Sequence, residues 1–467
     1  MNRLTVLVVL VSALTGFAVA GCSSGNNGIT NQASVNLVGG KQGQAVGFVD
    51  VDGDGIDDKI VGAPYAASAS ATGAILVYTG TASGYSSTNT ALLQSGNDNF
   101  GYSFVNMGDV DGDGKADFAI SAIHGSGGDA GDTSLSGTVT IYKGGSSGRI
   151  IKKISGDGPM DKFGYALAAG DVSGDERPEL IVSAPFNTND PALYQSGAVY
   201  VYFAPDFTTR VALYASTTNK ALGLGVAAGD VNGDGIADLL MSASGKVLVF
   251  FGGTTFAPVV NSPDITLTSA SSGFGKAISV IGDLDGDVKG EIAVGAPNAA
   301  INGYRDTGSV YIVSGSATGT VSLDAATPPV SLMVRIDGAG LFNRFGASIK
   351  AMGDVDGDGK PDFAVGAPMA DVTTTSGQNI LSGKVYLFKG KDITSATTIA
   401  NSTAFEGVVK NQQFGSSLAK STSGKLLIGG PRSNRDTGGV MMVDPATGQE
   451  VAGGSSGGAT GGSGDCH

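Results

Sequence analysis

The chain has 467 residues and a net charge of −14 at pH 7. This acidic balance argues against nucleic-acid binding, because phosphate contacts need clustered lysine and arginine. Glycine makes up 76 of the residues, yet 41% of the residues are hydrophobic, a combination typical of many short strands joined by tight turns. The two cysteines, Cys22 and Cys466, are too few for a disulfide framework.

The N-terminus has the pattern of an export signal. Residues 1–3 are positively charged, residues 4–20 are apolar, and residues 19–22 read Val-Ala-Gly-Cys. This pattern resembles the lipobox of bacterial lipoproteins, which implies a signal peptide over 1–21 and lipid chains on Cys22. We therefore expect a membrane as one partner and a location in the bacterial cell envelope, at the outer membrane and on either of its sides. An uncleaved membrane helix and ordinary secretion are the alternatives.

After Cys22 the chain is polar and rich in glycine, asparagine and serine, so residues 22–33 are expected to form a flexible tether. A Gly/Ser-rich tail over residues 451–467 is expected to be disordered for the same reason. The segment between them, residues 34–450, contains the regular pattern on which the fold prediction depends.

A nine-residue acidic phrase recurs along this segment, with first residues Asp50, Asp109, Asp171, Asp230, Asp283 and Asp354. Each copy has oxygen-bearing side chains at positions 1, 3, 5 and 9, and 24 of the 42 acidic residues lie in these copies. A solvated, merely solubilising surface does not predict such concentration. Recurrence at steps of 53 to 71 residues indicates a repeat architecture.

The other parts of each repeat read as strands. Each repeat begins with Phe-Gly or a relative, continues with a short apolar run, the acidic phrase and a β-rich run that ends near Gly-Ala-Pro, and closes after a variable loop with a strand that starts at glycine. The runs are rich in Val, Ile, Tyr and Phe and are bounded by Gly, Pro and Asp, which favours strands. The Phe-Gly positions begin at Phe100, Phe163, Leu222, Phe274, Phe345 and Phe414, with Gln42 in the first repeat.

These repeats predict an all-β fold, a seven-bladed β-propeller of about 60-residue repeats with four strands per blade, because radial repetition hides most strand edges. The seventh repeat, from Phe414, has only residues 420–424 where the acids stand elsewhere. We expect the ring to close between an N-terminal strand, residues 33–38, and this seventh blade.

The order Phe-Gly, acidic loop, Gly-Ala-Pro resembles the FG-GAP repeat of the seven-bladed propellers of integrin alpha subunits, which also occurs in bacterial surface proteins. The resemblance extends over nearly the whole chain after the signal and departs from the pattern at Ile123 and Ser244, where proline is missing. It implies a calcium-binding propeller with a role in adhesion or recognition.

Calcium prefers six to eight oxygen ligands, which one tightly wrapped loop can supply from side chains at positions 1, 3, 5 and 9 and the carbonyl at position 7. Zinc and copper prefer histidine and cysteine, and magnesium keeps its waters; turn-forming Asp-Gly pairs without metal are the alternative. We expect up to six calcium ions, one in each acidic loop of blades one to six. The tightest binding is expected in blades one, two and six, and the least favourable in blade five, where Val288 replaces glycine. The predicted ligands are Asp50, Asp52, Asp54, Ile56 and Asp58; Asp109, Asp111, Asp113, Lys115 and Asp117; Asp171, Ser173, Asp175, Arg177 and Glu179; Asp230, Asn232, Asp234, Ile236 and Asp238; Asp283, Asp285, Asp287, Lys289 and Glu291; and Asp354, Asp356, Asp358, Lys360 and Asp362.

No catalytic motif stands out. His124 and His467 are the two histidines, no nucleophile is placed beside them by motif, and no phosphate-binding loop follows a strand and opens a helix. We therefore predict a binding protein with a protein or glycan ligand; a polysaccharide hydrolase or lyase and a purely structural envelope protein are the alternatives. The ligand should meet the loops after Gly-Ala-Pro, where aromatic and arginine anchors are available: Tyr65, His124, Phe186, Tyr194, Tyr304, Arg305, Arg432 and Arg435.

Overall fold

The structure is a computed structural model, and it describes residues 30–32, 40–67, 71–82, 84–93, 96–126, 135–145, 149–188, 194–216, 220–374, 377–379, 381–408, 410–432 and 438–451. The expected signal peptide, Cys22, the segment 33–38, Arg435 and the tail after residue 451 lie outside this part of the chain.

The described chain is all-β and contains no α-helix. Two short 3-10 helices cover Gly390–Asp392 and Ile399–Asn401. The strands are β1 (Thr30–Gln32), β2 (Val46–Val49), β3 (Asp58–Ala67), β4 (Ala71–Tyr78), β5 (Gly80–Thr81), β6 (Gly84–Tyr85), β7 (Thr90–Leu93), β8 (Gly96–Gly108), β9 (Asp117–Ala122), β10 (Thr138–Tyr142), β11 (Ile150–Ser155), β12 (Leu167–Gly170), β13 (Glu179–Ala184), β14 (Ala198–Tyr202), β15 (Arg210–Tyr214), β16 (Val226–Gly229), β17 (Asp238–Ala243), β18 (Lys246–Phe250), β19 (Ile265–Thr268), β20 (Ala277–Gly282), β21 (Glu291–Ala296), β22 (Ser309–Val313), β23 (Gly319–Ser322), β24 (Leu332–Asp337), β25 (Ser348–Gly353), β26 (Asp362–Ala367), β27 (Val372–Thr374), β28 (Gly377–Asn379), β29 (Lys384–Phe388), β30 (Thr403–Glu406), β31 (Ser417–Lys420), β32 (Leu426–Gly430), β33 (Gly439–Asp444) and β34 (Gln449–Glu450).

A four-stranded antiparallel meander is the repeating unit. The strand orders are β12-β13-β14-β15, β16-β17-β18-β19, β20-β21-β22-β24, β25-β26-β29-β30 and β31-β32-β33-β34. The first two units, β2-β3-β4-β7 and β8-β9-β10-β11, are joined into one sheet, because β4 pairs in parallel with the start of β8. In the fourth unit, β23 adds in parallel to the edge strand β19.

Two details differ from the sequence-based expectations. Residues 30–32, expected in the tether, form β1 and pair with the otherwise free edge of β7. The outer strand that the seventh unit carries is β34, which pairs with β33 through Val443↔Glu450 and Asp444↔Gln449. The expected contribution of residues 33–38 to that position lies outside the described residues.

The core lies between neighbouring sheets. Every residue of β9, β13, β17, β21 and β26, the second strands of their units, is buried, as expected for strands covered on both faces. Each hydrophobic cluster draws on adjacent units; for example, Val310 and Ile312 of β22 pack with Phe363 and Val365 of β26. Stacking of neighbouring units is therefore what buries the apolar runs of each repeat.

The Phe-Gly step is a regular turn. The residue before phenylalanine adopts a left-handed conformation, with φ of +58° at Asn99 and +55° at Arg344, and glycine follows at φ of +89° and +86°. Phe100 and Phe345 are fully buried. A Cβ on Gly101 would lie 2.4 Å from the carbonyl oxygen of Ala74, so glycine is needed there for close approach of two backbones.

The first strands of the units, β2, β8, β12, β16, β20, β25 and β31, contact one another in chain order, and β2 contacts β31. Together they line a cavity of about 470 Å³. The two ends of the described repeat region also meet, because Ser417 Oγ donates to Gly43 O over 2.7 Å and Gly439 N donates to Gln42 O over 3.1 Å.

Candidate metal loops and the opposite loop surface

The acidic phrases connect the first and second strands of their units, and the position 1 carboxylate folds each loop. In the second loop, Asp109 Oδ1 accepts the N–H of Gly112 at 2.7 Å and of Asp113 at 3.0 Å, and Oδ2 accepts the N–H of Gly114 at 2.6 Å. Asp354 makes the same three bonds in the sixth loop. A carboxylate that bonds the backbone a few residues ahead is typical of aspartate-initiated turns.

Position 9 is a buried carboxylate that ties the loop to two strands. Asp117 accepts the N–H of Val110 on Oδ2 at 3.0 Å and the N–H of Gly144, after the third strand, on Oδ1 at 2.8 Å. Burial raises the pKa of such groups even against these hydrogen bonds, to about 6 for Asp58 and about 7 for Glu179 and Glu291. These hydrogen bonds hold the position 9 acid at the base of the loop.

Three carboxylates come together in most of these loops. Each of the following groups offers one oxygen per residue, all within 4.8 Å of one another: Asp50, Asp52 and Asp58; Asp109, Asp111 and Asp117; Asp171, Asp175 and Glu179; Asp283, Asp285 and Glu291; Asp354, Asp356 and Asp362. Hard oxygen donors at such spacing are compatible with calcium binding.

The fourth loop does not form such a group among the described carboxylates. Its position 3 residue is Asn232, whose Nδ2 donates to Asp234 Oδ2 over 2.9 Å. Position 5 joins a group only in the third loop, where Ser173 stands at position 3. The N–H of the position 7 residue donates to the position 5 carboxylate in every loop, at Ile56, Lys115, Arg177, Ile236, Lys289 and Lys360.

Two loops hold a lysine ammonium among their acids, a feature that the sequence prediction missed. Lys143 Nζ contacts Asp111 and lies 2.9 Å from Asp113 Oδ2. In the sixth loop, Lys389 Nζ lies 2.7 Å from Asp356 Oδ2, and this hydrogen bond is the main cause that lowers the pKa of Asp356 to about 2. Both lysines directly follow the third strand of their unit. The carboxylates of these two loops therefore bind a lysine ammonium group, and a metal ion would have to displace that group.

In the third and fifth loops, the left-handed bend at position 6 forms at a residue other than glycine. Glu176 adopts φ of +70° and Val288 adopts φ of +76°, in the same region as Gly112 and Gly114 of the second loop. This conformation is energetically unfavourable for both residues, because the Cβ of an L-residue lies too close to the following carbonyl oxygen. The third and fifth loops share this bend, so the expectation that the fifth loop binds calcium least favourably stays a prediction.

In the calcium-free protein, we expect stability to fall as the pH rises from about 4 to 8. The position 9 acids Asp58, Glu179 and Glu291 have pKa values raised to about 6 or 7 in the folded state, against about 4 when unfolded. Their contribution is fully present below the unfolded pKa and is lost as the pH passes through the folded pKa. Thermal melts in chelator across this range measure it. The same melts in excess calcium are the control, and a melting temperature that rises with pH in chelator would contradict the expectation.

A second set of loops lies at the opposite strand ends. The loops after the second strands meet the turns before Phe-Gly through backbone hydrogen bonds: Tyr65 N to Gly40 O at 3.2 Å, Phe186 N to Asp161 O at 3.3 Å, and Phe342 N to Arg305 O at 3.0 Å. We call this set the opposite loop surface. It comprises the described parts of residues 64–72, 123–136, 185–196, 297–307, 368–382 and 431–437, and of the turns 40–43, 98–101, 158–164, 220–223, 270–275, 338–346 and 408–415.

The structure places most of the predicted ligand anchors on this surface. Tyr65, Tyr194 and Tyr304 are 41%, 75% and 57% exposed, and Arg305 and Arg432 are exposed. Phe186 is partly buried below Lys162, whose Nζ lies 4.5 Å from the ring centre. Arg435 lies outside the described residues.

His124 is less available than the sequence predicts. Its Nδ1 lies 2.5 Å from Asn99 Oδ1, and the side chain is partly buried. Burial, and secondarily the charge of Lys162, lowers the pKa of His124. The histidine is therefore bonded to the left-handed residue of the second Phe-Gly turn.

Exposed apolar side chains also occur in the turns before Phe-Gly, outside the loops after Gly-Ala-Pro to which the sequence prediction assigns the ligand. Met160, Leu341, Phe342 and Val408 are 61%, 49%, 47% and 62% exposed. All stand within six residues before a Phe-Gly step, which is the signal that could have found them.

Among the described residues, no helix is long and apolar enough to cross a membrane.

Comparison with known proteins agrees with the repeat pattern. The FG-GAP repeat model matches residues 163–202, 222–250, 274–313 and 346–388. Integrin alpha-5 of Xenopus laevis is 29% identical over 227 residues, which cover 45% of this chain and 20% of that protein. Integrin alpha-V of Gallus gallus is 32% identical over 219 residues, with 44% of this chain and 20% of that protein covered. The match thus spans about a fifth of the length of these curated relatives. The chain therefore contains four segments that match the FG-GAP repeat, and it is similar to the integrin alpha subunits over somewhat less than half of its length.

Proposed function

We propose that the protein is a calcium-stabilised, lipid-anchored β-propeller of the bacterial cell envelope that binds a protein or glycan ligand. The observation that carries this proposal is the separation of two kinds of loop. Acidic loops that suit a cation connect the first and second strands, whereas exposed aromatic and cationic side chains gather at the other strand ends. One end would stabilise the fold, and the other would recognise the ligand.

Seven blades in a closed ring are the form of this fold that we propose. The cavity lined by the first strands, from Val46 to Lys420, supports it. The bridge between Gln42 and Gly438 supports closure, as does a hydrophobic cluster in which Val46 and Phe48 pack with Leu427 and Met442. In a closed ring, neither terminal unit of the repeat array is left with an uncovered sheet face.

Calcium is the proposed cofactor, with up to six ions in the loops of blades one to six. Carboxylates within 4.8 Å of one another repel when ionised and no cation is bound. An ion would therefore stabilise the folded loops by its binding free energy. The lysines of the second and sixth loops, Lys143 and Lys389, would compete with it.

The ligand surface that we propose is centred on Tyr304, Arg305, Leu341 and Phe342. The N–H of Phe342 donates to Arg305 O, so these four side chains belong to two adjoining turns. Aromatic and arginine side chains supply much of the energy of protein recognition, and exposed rings also suit contact with sugars. Lys41 and Tyr65 form another pair of a cation and an aromatic ring on the opposite loop surface, because Lys41 Nζ lies 4.2 Å from the centre of the Tyr65 ring.

A glycan array and an affinity pull-down with the chain from residue 23 onward test this function. We expect Tyr304→Ala and Phe342→Ala to weaken ligand binding at least about tenfold, because hot-spot side chains cost 2 kcal/mol or more on truncation, with melting unchanged. The matched control is Val330→Ala, since Val330 is fully exposed in a connection at the acidic-loop end. Binding that survives both substitutions would contradict the proposed surface, and turnover of a polysaccharide by the purified protein would favour a hydrolase or lyase.

The envelope location follows from the signal pattern and Cys22, which supply the membrane partner in this proposal. A lipid on the first residue of the mature chain and a polar tether would hold the folded repeats near, but not in, the bilayer.

A further inference from the structure

Two charges of the same sign lie in the cavity between the first strands. Most of the residues that line it are aliphatic or aromatic, such as Phe48, Phe104 and Leu167, but the surface that they expose to the cavity is mostly polar. Lys350 of β25 and Lys420 of β31 are its two ionisable lining residues in the described chain. A net positive cavity is unexpected in a chain with a net charge of −14.

Both lysines depart from the internal repeat pattern. Lys350 pairs with Ala364, and Lys420 pairs with Leu426. At the same two registers the third repeat has Ala168 and Ala169, and the fourth has Ala227 and Ala228. A strand position that is alanine in other repeats does not require lysine for folding.

The two ammonium groups are not neutralised by acids of the described chain. No ion pair or side-chain hydrogen bond joins Lys350 or Lys420 to a described carboxylate. The surrounding protein lowers the pKa of Lys350, and the charge of Lys420 adds to this effect. Both side chains are exposed in the cavity, and two like charges that face the same enclosed space repel each other. This arrangement is stabilised if an anion enters between them.

The strands around the cavity provide further donors. β12, β16, β20, β25 and β31 are terminal strands of their sheets and pair on one side only. Such edges carry unpaired backbone N–H groups. The seventh unit also lacks the acidic phrase, since residues 421–424 read Ser-Thr-Ser-Gly. An anion that approaches beside Lys420 therefore meets less repulsion than beside the other units.

We propose that this cavity is an anion site in which Lys350 and Lys420 hold a small oxyanion of the sulfate or phosphate class. Lysine binds such groups as a compact point charge with three donors. The volume of about 470 Å³ leaves room for water around the ion, which can bridge it to the free strand edges.

Calorimetric titration of sulfate into the calcium-loaded protein at low ionic strength tests the proposal, because sulfate does not remove calcium as phosphate does. We expect the unmodified protein to bind sulfate and Lys350→Met and Lys420→Met to weaken binding at least about tenfold. Lys220→Met, at an exposed lysine outside the cavity, is the matched control and should bind as the unmodified protein does. Without sulfate, Lys350→Met should melt higher than the unmodified protein, because the substitution removes the repulsion.

Equal sulfate affinity in all four proteins, or no binding by the unmodified protein, would overturn the site. If a variant fails to fold, crystals of the unmodified protein soaked in selenate decide the question. An anomalous peak between Lys350 and Lys420 is the expected result, and selenate found only at the protein exterior would refute the proposal.

Discussion

Removal of calcium is expected to lower the melting temperature of the protein by about 10–15 °C. At a free calcium concentration of a hundred times the dissociation constant, each site adds about 2.7 kcal/mol to the free energy of unfolding. Five sites would add about 13 kcal/mol. With an unfolding entropy of about 2.1 cal/mol/K per residue, this corresponds to roughly 15 °C for a fold of about 400 residues.

The structural reason is the crowding of the loop acids. Asp354, Asp356 and Asp362 offer oxygens within 4.8 Å of one another. Of these three acids, Lys389 forms an ion pair only with Asp356. A second lysine, Lys391, lies 3.1 Å from Asp358, which is outside the group. Without metal, the first, third and fifth loops have no such lysine ion pair among the described contacts. In these loops no lysine of the described contacts offsets the repulsion among the acids once calcium is removed.

Thermal melts in calcium and in chelator measure the effect, and chelator already saturated with calcium is the control for the chelator itself. Readdition of calcium should restore the higher melting temperature, and magnesium at the same concentration should restore less, because it demands a smaller octahedral site. A change of less than about 2 °C on chelation would indicate that the acids serve only as turn residues.

Phe345→Ala is expected to lower the free energy of unfolding by about 3–5 kcal/mol. The Phe345 side chain is fully buried. It packs edge-on against Tyr386 and Phe388, with ring centres 5.5 and 6.2 Å away. Its backbone bridges to Gly308 of the preceding unit. Truncation would leave a cavity at the contact between two units, which the rigid strands on both sides cannot close.

The chain supplies a matched control three residues away. Phe342 belongs to the same turn but is 47% exposed, so Phe342→Ala should change the free energy of unfolding by less than about 0.5 kcal/mol. Chemical denaturation of both variants in calcium measures the difference. Equal destabilisation by the two substitutions would contradict the assignment of Phe345 to the core and Phe342 to the ligand surface.

The sequence predicts the second and third strands well, because their β-rich runs lie between glycine, proline and aspartate. For example, β26 (Asp362–Ala367) and β29 (Lys384–Phe388) form where the β-rich run before Gly-Ala-Pro and the run that starts at glycine predict strands. The acidic loops were also predictable, since their hydrogen bonds are local: Asp109 folds its own loop through residues 112–114. Local chemistry of this kind is repeated in each unit and so can be read from the repeat.

What could not be predicted depends on contacts between distant segments. β23 is a short, largely polar strand, and its parallel pairing with β19 has no periodic signal. Lys143 looks like an ordinary residue after a strand until the fold brings it to Asp111, 32 positions earlier. Lys350 and Lys420 become neighbours only because two sheets face the same cavity.

The site prediction was partial for the same reason. Tyr304 and Arg305 could be chosen because they lie in a variable loop, but Leu341 and Phe342 lie in a different connection of the chain. A backbone hydrogen bond, Phe342 N to Arg305 O at 3.0 Å, joins the two. The surface is therefore a product of stacking between neighbouring units, which the order of residues within one repeat does not reveal.

A crystal structure determined in calcium, with anomalous data to locate the ions, tests the central claim most directly. The account predicts a closed ring of seven four-stranded units with an ion in the acidic loops, bound by oxygens of the carboxylates at positions 1, 3 or 5, and 9, and with Lys143 displaced from Asp111. Acidic loops that remain closed by lysine or backbone hydrogen bonds, with no ion in any of them in saturating calcium, would contradict it.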